Sequence, residues 1–258
     1  MTEPFAERTA LVTGAGRGIG RAIATQLAAG GAEVALLARS VDELEETAAA
    51  IRSRGGCAVV VPADLADPDA VSDAATRLAG ELGPIDILVN NAAVVQPAGP
   101  TIATDTAAWH RAFAVNVDAP VQLTLRLVPS MLEREWGRVV NVSSGIVDHP
   151  EVMVGLNAYS ATKAALEAHT RSLAAELAGS GVTVNVYRPG SVDTAMQAWF
   201  RAQPPDDIGA DLHRHFQTSY EQGTLITPEQ SAQVLLAWLA GDATGQIWTP
   251  NDEREDTP

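Results

Sequence analysis

The sequence predicts an α/β fold, in which helices flank a doubly wound parallel sheet of about seven strands. Three observations predict it. Short runs rich in Val, Leu and Ile alternate with longer helical patterns along all 258 residues. The short runs are apolar throughout, which is typical of strands that are covered on both faces. No Pro/Gly/Ser-rich linker divides the chain, so residues 1–258 are expected to form a single domain.

Seven strands are predicted in chain order. They are TALVT from Thr9, EVALLA from Glu33, CAVVVP from Cys57, IDILVN from Ile85, RVVNVS from Arg138, VTVNVY from Val182 and GQIWT from Gly245. Helices are predicted between them, at about 19–29, 41–53, 68–82, 106–133 and 158–179, and a last helix follows Pro228. Because strand and helix alternate, right-handed crossovers and parallel strands are expected.

Two segments depart from this alternation. Residues 190–227 form a long insertion before the last helix, and this insertion carries four aromatic residues: Trp199, Phe200, Phe216 and Tyr220. A long segment of this kind in a compact domain is typical of a lid or binding loop, so a substrate lid is predicted here. The tail at 251–258 is charged, ends in proline and is expected to fray.

Composition excludes several classes of function. The formal net charge of -15 argues against nucleic-acid or anionic-membrane partners. No apolar run reaches the roughly 18 residues of a membrane span, and no leader is recognised, so a cytoplasmic protein is expected. Cys57 is the only cysteine, which excludes an intramolecular disulfide; we expect it to be a buried apolar residue. His213 and His215 lack companions at a known metal spacing, so no metal is expected.

A glycine-rich turn follows the first predicted strand. In LVTGAGRGIGRAIA, Gly14, Gly18 and Gly20 form a Gly-x-x-x-Gly-x-Gly pattern, with Ile19 between the last two. Glycines at such a turn let the backbone approach a pyrophosphate, and the helix that follows offers free amides and its positive dipole end. The turn therefore predicts a dinucleotide site; the alternative is a glycine turn without a ligand.

Four motifs together resemble a known family. TGAGRGIG (13–20), NNAA (90–93), YSATK (159–163) and PGSVDT (189–194) occur in the order seen in the short-chain dehydrogenase/reductase family. The resemblance covers about residues 8–248. It implies a single Rossmann domain, a nicotinamide cofactor and hydride transfer to or from a carbonyl carbon. It also implies a homodimer or homotetramer, with 104–133 and the helix of Tyr159 as the expected faces.

The end of the second strand bears on the choice of cofactor. The sequence there is Ala38-Arg39-Ser40, without the carboxylate that would bind the ribose hydroxyls of NAD. Arg39 offers a planar donor fork to a 2′-phosphate, and Arg17 could approach the same group. This pairing resembles NADP-preferring members, so NADP(H) is predicted. In the alternative, Arg39 stacks on adenine, Arg17 is solvated and NAD(H) is used.

The resemblance implies further cofactor contacts. Asp64 would accept from the adenine amine with the Leu65 amide beside it; alternatively Asp64 caps the next helix. Asn90 is expected to brace the cofactor-side loop, where Ala93 replaces the glycine that is usual in the family. Val192 and Thr194 would bind the carboxamide. The complete predicted set is Gly14, Arg17, Gly18, Ile19, Gly20, Arg39, Ser40, Asp64, Leu65, Asn91, Tyr159, Lys163, Pro189, Gly190, Val192 and Thr194.

Tyr159 and Lys163 are the predicted acid/base pair. They lie four residues apart, so a helix would place them on one face. The ammonium is expected to lower the pKa of the tyrosine from about 10. Lys163 is the only lysine in the chain, and an arginine could not relay a proton. The alternative is a surface Tyr–Lys pair.

The resemblance completes this catalytic set with Ser144 and Asn116. Ser144 would hold the substrate oxygen, with Ser143 supporting the turn. Asn116 would hold a water against the lysine, or alternatively bond to backbone at a helix distortion. Ser144 lies 15 residues before Tyr159, about two more than the family usually has, which predicts a reshaped substrate mouth.

The predicted substrate pocket is mostly apolar. It is built from Ile146, Val147, His149, Val154, residues 94–97 and the lid. An NADP(H)-dependent ketoreductase of an apolar, medium-sized ketone is therefore predicted. Two alternatives stay open: an NAD-dependent secondary alcohol dehydrogenase, and a catalytically idle nucleotide-binding scaffold or sensor.

Overall fold

The computed structural model describes residues 3–250. Within them a seven-stranded sheet is formed entirely by parallel pairs, in the order β3-β2-β1-β4-β5-β6-β7. The strands are β1 (Thr9–Thr13), β2 (Glu33–Ala38), β3 (Cys57–Pro62), β4 (Ile87–Asn90), β5 (Gly137–Val142), β6 (Val182–Tyr187) and β7 (Ile247–Trp248). The predicted doubly wound sheet is confirmed.

The helices of the described residues connect these strands. They are α1 (Gly18–Ala29), α2 (Val41–Arg52), α3 (Pro68–Glu81), α4 (Thr106–Phe113), α5 (Ala119–Glu133), α6 (Asn157–Glu176), α7 (Ala195–Ala202), α8 (Pro205–Ile208), α9 (Ala210–Glu221) and α10 (Pro228–Leu239). The prediction of one helix over 106–133 is wrong, because a π-helical turn at Ala114–Asp118 separates α4 from α5. The insertion at 190–227 is largely helical, since it contains α7, α8 and α9.

The order of the strands creates the crevice in which a site can form. β1 pairs with β2 on one side and with β4 on the other, so the chain winds in opposite directions from β1. In parallel α/β sheets, ligands bind beyond the carboxyl ends of the strands at such a switch point. The glycine turn follows β1, and Asn90 ends β4, so both stand at this crevice.

Both faces of the sheet are covered, as the apolar strands predicted. In β1, Ala10 and Val12 pack with α1, α2 and α10, while Leu11 packs on the opposite face with α3 and α5. A third apolar cluster lies over the carboxyl end and joins α7, α8 and α9 to the loops after β4 and β5. It consists of Val95, Ile146, Leu156, Phe200, Ile208, Leu212 and Phe216.

Cys57 is exposed, so the prediction that it is buried is wrong. It begins β3, which is one of the two edge strands of the sheet and pairs with β2 alone. An edge position has a neighbouring strand on one side only, which leaves the start of the strand open to solvent. The tail predicted to fray, 251–258, lies outside the described residues. Among residues 3–250, no helix is long and apolar enough to cross a membrane.

Candidate active site

The glycine turn after β1 is shaped by close backbone contacts. Gly14 and Gly18 take positive φ angles of 66° and 54°. A Cβ on Gly20 would lie 2.2 Å from the Gly14 carbonyl oxygen and 2.5 Å from Asn91 Nδ2, so no side chain fits there. α1 begins at Gly18, so the free amides of its first turn face the crevice end of the sheet. Ile19 packs against the core below.

Asn91 braces this turn from β4. Its Nδ2 donates to the Thr13 carbonyl oxygen at 2.9 Å, and its backbone N donates to Thr13 Oγ1 at 3.0 Å. Asn90, which was expected to brace the loop, instead donates to Asn141 Oδ1 of β5 at 2.8 Å. The prediction for Asn90 is wrong because strand alternation points it to the opposite side from Asn91. Ala93 keeps a negative φ, so its methyl group introduces no backbone strain.

The segment at 189–194 approaches the glycine turn from the other side. The Thr194 methyl group lies 3.4 Å from where a Cβ on Gly18 would stand. Gly190 takes a φ of 77°, and the Pro189 carbonyl oxygen accepts from Ser231 Oγ at 3.1 Å. Val192 is buried and forms a parallel bridge with Ile226. The structure thus brings together the motif predicted to bind the pyrophosphate and the motif predicted to bind the nicotinamide end of the cofactor.

The guanidinium of Arg39, at the end of β2, makes no direct polar contact among residues 3–250, although its charge helps to lower the pKa of Asp64. Arg39 is exposed and has no hydrogen bond or ion pair within residues 3–250. Arg17, by contrast, lies with NH1 3.4 Å from Glu43 Oε1, and its side chain is 65% exposed. Ser40 accepts from the Glu43 amide at 3.3 Å and so caps α2. Arg39 can therefore meet an anion without breaking an existing contact, whereas Arg17 would exchange one.

Asp64 is held by a neighbouring arginine. Arg111 NH2 lies 3.0 Å from Asp64 Oδ2, and the Ala66 amide donates to Asp64 Oδ1 at 3.0 Å. Partial burial raises the pKa of Asp64, but the Ala66 hydrogen bond and the arginine outweigh it and keep the pKa below its ordinary value. The alternative of a helix cap is wrong, because Asp67 caps α3. Leu65, next in the chain, is buried.

Tyr159 and Lys163 lie on the first two turns of α6, as the spacing predicted. Lys163 is buried, and its Nζ donates to the Val142 carbonyl oxygen of β5 at 2.6 Å. The same Nζ lies 5.6 Å from the centre of the Tyr159 ring. An ammonium has three N–H donors, so two remain for other partners. The side chain of Ser144 is near enough to the Tyr159 hydroxyl to act on its pKa.

Burial sets the proton affinities of this pair. Burial raises the pKa of Tyr159 to about 12, although the interaction with Ser144 acts in the opposite direction. Burial lowers the pKa of Lys163 to about 8, while the charge of Glu167 acts to raise it. The expected lowering of the tyrosine pKa is therefore wrong for the protein alone. The cost of burying a phenolate outweighs the interaction with Ser144, and the Lys163 ammonium is directed to the Val142 carbonyl oxygen.

Ser144 both caps a turn and reaches Tyr159. Its Oγ accepts from the Ile146 amide at 3.3 Å at the start of the 3-10 turn Gly145–Val147. The Ser143 side chain, which was expected to support the turn, is buried and its Oγ lacks a hydrogen-bond partner. Ser143 acts through its backbone instead, which donates to the Tyr187 carbonyl oxygen at 2.7 Å.

Asn116 lies in the π-helical turn between α4 and α5. Its Oδ1 accepts from the Val94 amide at 2.9 Å, and its Nδ2 donates to the Val94 carbonyl oxygen at 2.9 Å and to Thr162 Oγ1 at 3.0 Å. Both ends of the side-chain amide are therefore engaged. Asn116 thus connects the loop after β4 to α6, next to Lys163. This matches the alternative prediction, in which Asn116 bonds to backbone at a helix distortion.

The apolar side of the site is formed by the third cluster. Tyr159, Val147, Met196 and Trp199 pack against it, in addition to its buried member Ile146. His149 and Val154 were predicted to line the pocket, and this is wrong. His149 is exposed and pairs with Glu151, and Val154 is 75% exposed. The two residues belong to the longer connection between Ser144 and Tyr159, which carries them out to the surface.

Three charged residues beside the site were missed by the sequence analysis. Arg188 Nε and NH2 contact the two carboxylate oxygens of Glu167 at 2.8 and 2.9 Å, and the other side of the guanidinium pairs with Asp148. The sequence places two of these residues beside predicted site motifs, but it does not show that they pair. Glu167 follows Lys163 by one helical turn, and Arg188 directly precedes Pro189.

Comparison with known proteins agrees with this geometry. Residues 8–205 match the family described as short chain dehydrogenase. Over 249 residues the chain is 36% identical to the cis-4-hydroxycyclohexanecarboxylate dehydrogenase of Sinomonas cyclohexanicum, covering 96% of this chain and 94% of that protein.

Two solved structures are also similar. One is a putative NAD(P) dependent gluconate 5-dehydrogenase from Beutenbergia cavernae with bound NADP (TM-score 0.84, 35% identity, 97% of each chain covered). Another is a variant of the actinorhodin polyketide ketoreductase with NADPH (TM-score 0.85, 29% identity, 96% of this chain and 97% of that chain covered). The four motifs, the strand order and these matches agree, and the chain belongs to the short-chain dehydrogenase/reductase family.

Proposed function

We propose that the protein is an NADP(H)-dependent ketoreductase that reduces an apolar, medium-sized ketone, with Tyr159 as the proton donor. One observation carries this proposal. Tyr159 packs on an apolar cluster with Ser144 close enough to act on the pKa of its hydroxyl, and the buried Lys163 lies on the next turn of α6. A carbonyl oxygen that accepts from both hydroxyls would be held where negative charge develops during reduction.

The protein's side chains supply the proton chemistry. When bound, NADPH supplies the hydride that adds to the carbonyl carbon. The alkoxide oxygen formed in that addition takes the proton of Tyr159, whose pKa of about 12 keeps the hydroxyl protonated at neutral pH. Lys163, with a pKa of about 8, is the group of this set best suited to restoring that proton.

The residues present fit a phosphorylated dinucleotide. Lys163 has two N–H donors without protein partners, Arg39 has a free guanidinium, and the glycine turn excludes a side chain at Gly20. We propose that Arg39, assisted by Arg17, binds the 2′-phosphate, and that the turn, Asn91 and residues 189–194 hold the rest of the cofactor. The NADP and NADPH bound to the two similar structures support this choice. NAD(H) is the alternative.

The substrate class follows from the lining of the site. Aromatic and aliphatic residues from α7–α9 and from the Gly145–Val147 turn favour an apolar carbon skeleton. The similar proteins named for a hydroxycyclohexanecarboxylate and for a polyketide suggest cyclic ketones as first candidates.

We propose further that residues 190–227 act as a substrate lid within one catalytic domain of residues 1–258. A cytoplasmic homodimer or homotetramer is the proposed state, and light scattering of the purified protein tests it.

A panel of ketones and secondary alcohols tested with NADPH, NADP⁺, NADH and NAD⁺ tests the function. The panel includes 4-oxocyclohexanecarboxylate and its ethyl ester, since the ester removes the charge and keeps the ring. We expect NADPH-dependent reduction, with the ester reduced better than the acid. Protein that binds NADPH but reduces none of the ketones would support the idle scaffold. Alcohol oxidation with NAD⁺ alone would support the alcohol dehydrogenase.

A further inference from the structure

Three charged side chains connect the rim of the candidate site to the helix of Lys163. Arg188 lies at the centre, with Glu167 on one side and Asp148 on the other, and we call these three residues the Arg188 network. The Glu167 and Arg188 side chains are only 8% and 11% exposed, whereas Asp148 is 56% exposed. The network therefore extends from the interior of the protein to its surface.

Each member of the network stands on a different functional element. Asp148 directly follows the Gly145–Val147 turn that Ser144 caps. Glu167 lies on α6, one turn after Lys163. Arg188 follows β6 and precedes Pro189, in the segment that approaches the glycine turn. A single guanidinium thus joins the serine turn, the helix of the acid/base pair and the cofactor-side segment.

The connection between Ser144 and Tyr159 is also anchored near its second end, by backbone contacts. The Gly99 amide donates to the Gly155 carbonyl oxygen at 2.9 Å. A Cβ on Gly155 would lie 3.1 Å from the Ile208 carbonyl oxygen, so this backbone also packs closely against α8. The two anchors of this connection are Asp148 and Gly155. Between them, the side chains of Val152 and Val154 are 68% and 75% exposed. The longer connection is therefore fixed at both ends and projects only in its middle.

Stability alone does not explain a buried ion pair of this kind. Removing two charges from water costs about as much as their attraction returns, so apolar residues of the same size would stabilise the fold equally well. The guanidinium, however, makes two-point contacts with carboxylates in a fixed plane. Such geometry fixes the orientation of the groups that it joins. A positioning role is consistent with a buried ion pair at this place.

We propose that Arg188 is a positioning residue for ketone reduction. By pairing with Asp148 it holds the turn of Ser144, by pairing with Glu167 it holds α6, and so it fixes Ser144 relative to Tyr159 and Lys163. This inference rests on the proposed function. The groups that face Lys163 are the Tyr159 ring and Glu167 on α6, the Val142 carbonyl oxygen of β5 and, beyond Glu167, Arg188 after β6. Glu167 is the only carboxylate among them, so it favours the ammonium form of Lys163.

The exposed end of the network gives the first test. In Asp148→Asn, we expect kcat/KM for ketone reduction to fall about tenfold, because one charged anchor of the serine turn is lost. Glu81→Gln is the matched control, since it removes a similarly exposed carboxylate from the Arg77–Glu81 pair on α3. The control should stay within about twofold of the unaltered protein. Unchanged kinetics in Asp148→Asn, or an equal loss in Glu81→Gln, would overturn the proposal.

The buried end gives a second test that needs no turnover. The carbon-13 resonance of the Lys163 ε-carbon can be followed against pH, and Glu167→Gln should titrate at lower pH than the unaltered protein. An unchanged midpoint would overturn the proposal. If Glu167→Gln does not fold, the kinetics of Asp148→Asn decide whether the proposal holds. If the unaltered protein reduces no ketone, the proposed function fails. If it reduces ketones and Asp148→Asn leaves kcat/KM unchanged, the proposed function stands and this inference fails.

Discussion

Both ends of the parallel sheet bury charged side chains, but they use them differently. At the amino end, Asp86 accepts from the Thr9 amide at 3.1 Å and pairs with Arg134 at 3.1 Å. The guanidinium of Arg8 lies 3.7 Å above the centre of the Trp136 ring. These contacts tie the starts of β1, β4 and β5 together. Arg138 at the start of β5 is also buried here; its Nε has no hydrogen-bond partner among the described residues, and burial lowers its pKa. An arginine does not release its proton at accessible pH, so the charged groups at this end hold strands.

At the carboxyl end, one buried charge is only partly satisfied. Lys163 makes a single hydrogen bond, to Val142, and its nearest carboxylate, Glu167, is occupied by Arg188. Burial without a direct counter-ion lowers the pKa of Lys163 to about 8, and Glu167 offsets only part of that effect. The comparison teaches that burial of charge does not by itself mark a site. The carboxyl end is distinguished by Lys163, because a pKa of about 8 lets this buried group exchange a proton near neutral pH, whereas an arginine cannot.

The largest effect is expected from a matched pair of tyrosine substitutions. Tyr159 and Tyr187 both have a pKa raised by burial to about 12, but Tyr187 bonds to Ser231 of α10. Tyr159→Phe should lower kcat about 10³-fold, because the proton donor is lost. Tyr187→Phe should keep kcat within about twofold and lower the free energy of unfolding by about 1 kcal/mol. Steady-state kinetics and urea unfolding measure the two; equal rates in both variants would contradict the account.

A smaller effect is expected at the ribose end of the cofactor site. Arg39→Asp should weaken NADPH binding about tenfold to 100-fold and affect NADH far less, because a free charged donor is replaced by a repelling carboxylate. Arg54→Asp is the control, since Arg54 is exposed beyond the end of α2. Fluorescence titration with both nucleotides measures the preference. An unchanged NADPH/NADH ratio in Arg39→Asp would refute the role of Arg39.

The smallest kinetic effect is expected at the amino end. Arg134→Gln removes one partner of Asp86 and should lower the free energy of unfolding by about 1–3 kcal/mol, since Asp86 is largely buried. Because Arg134 lies at the opposite end of the sheet, kcat and KM should not change. Chemical unfolding and steady-state kinetics on the same preparation check both statements. A lower kcat or a higher KM in Arg134→Gln would contradict the claim that charges at the amino end serve only to hold strands.

Local patterns predicted much of the fold and the acid/base pair. Apolar runs placed the strands because both faces of the sheet are covered, and the four-residue spacing of Tyr159 and Lys163 fixed their common helix face. Features that depend on distant partners were not predictable in this way. The π-helical turn accompanies the bonds of Asn116 to Val94, and the exposure of Cys57 depends on strand order. Neither is encoded in a local spacing.

The prediction for the pKa of Tyr159 was wrong for the same reason. The pair Tyr159–Lys163 is visible in the sequence, but the pKa of Tyr159 depends on how deeply α6 is buried by other elements. Glu167 and Arg188 are 21 residues apart, and Asp148 is 40 residues from Arg188, so no motif joins them. Sequence reasoning therefore found the reacting groups and missed the residues that surround and orient them.

The titration of Lys163 tests the central claim most directly. Since Lys163 is the only lysine in the chain, protein labelled with carbon-13 at the lysine ε-carbon gives one side-chain resonance that needs no assignment. The account predicts a midpoint of about 8, because burial disfavours the ammonium. A midpoint near the ordinary value of 10.5 would show a solvated lysine and contradict the account.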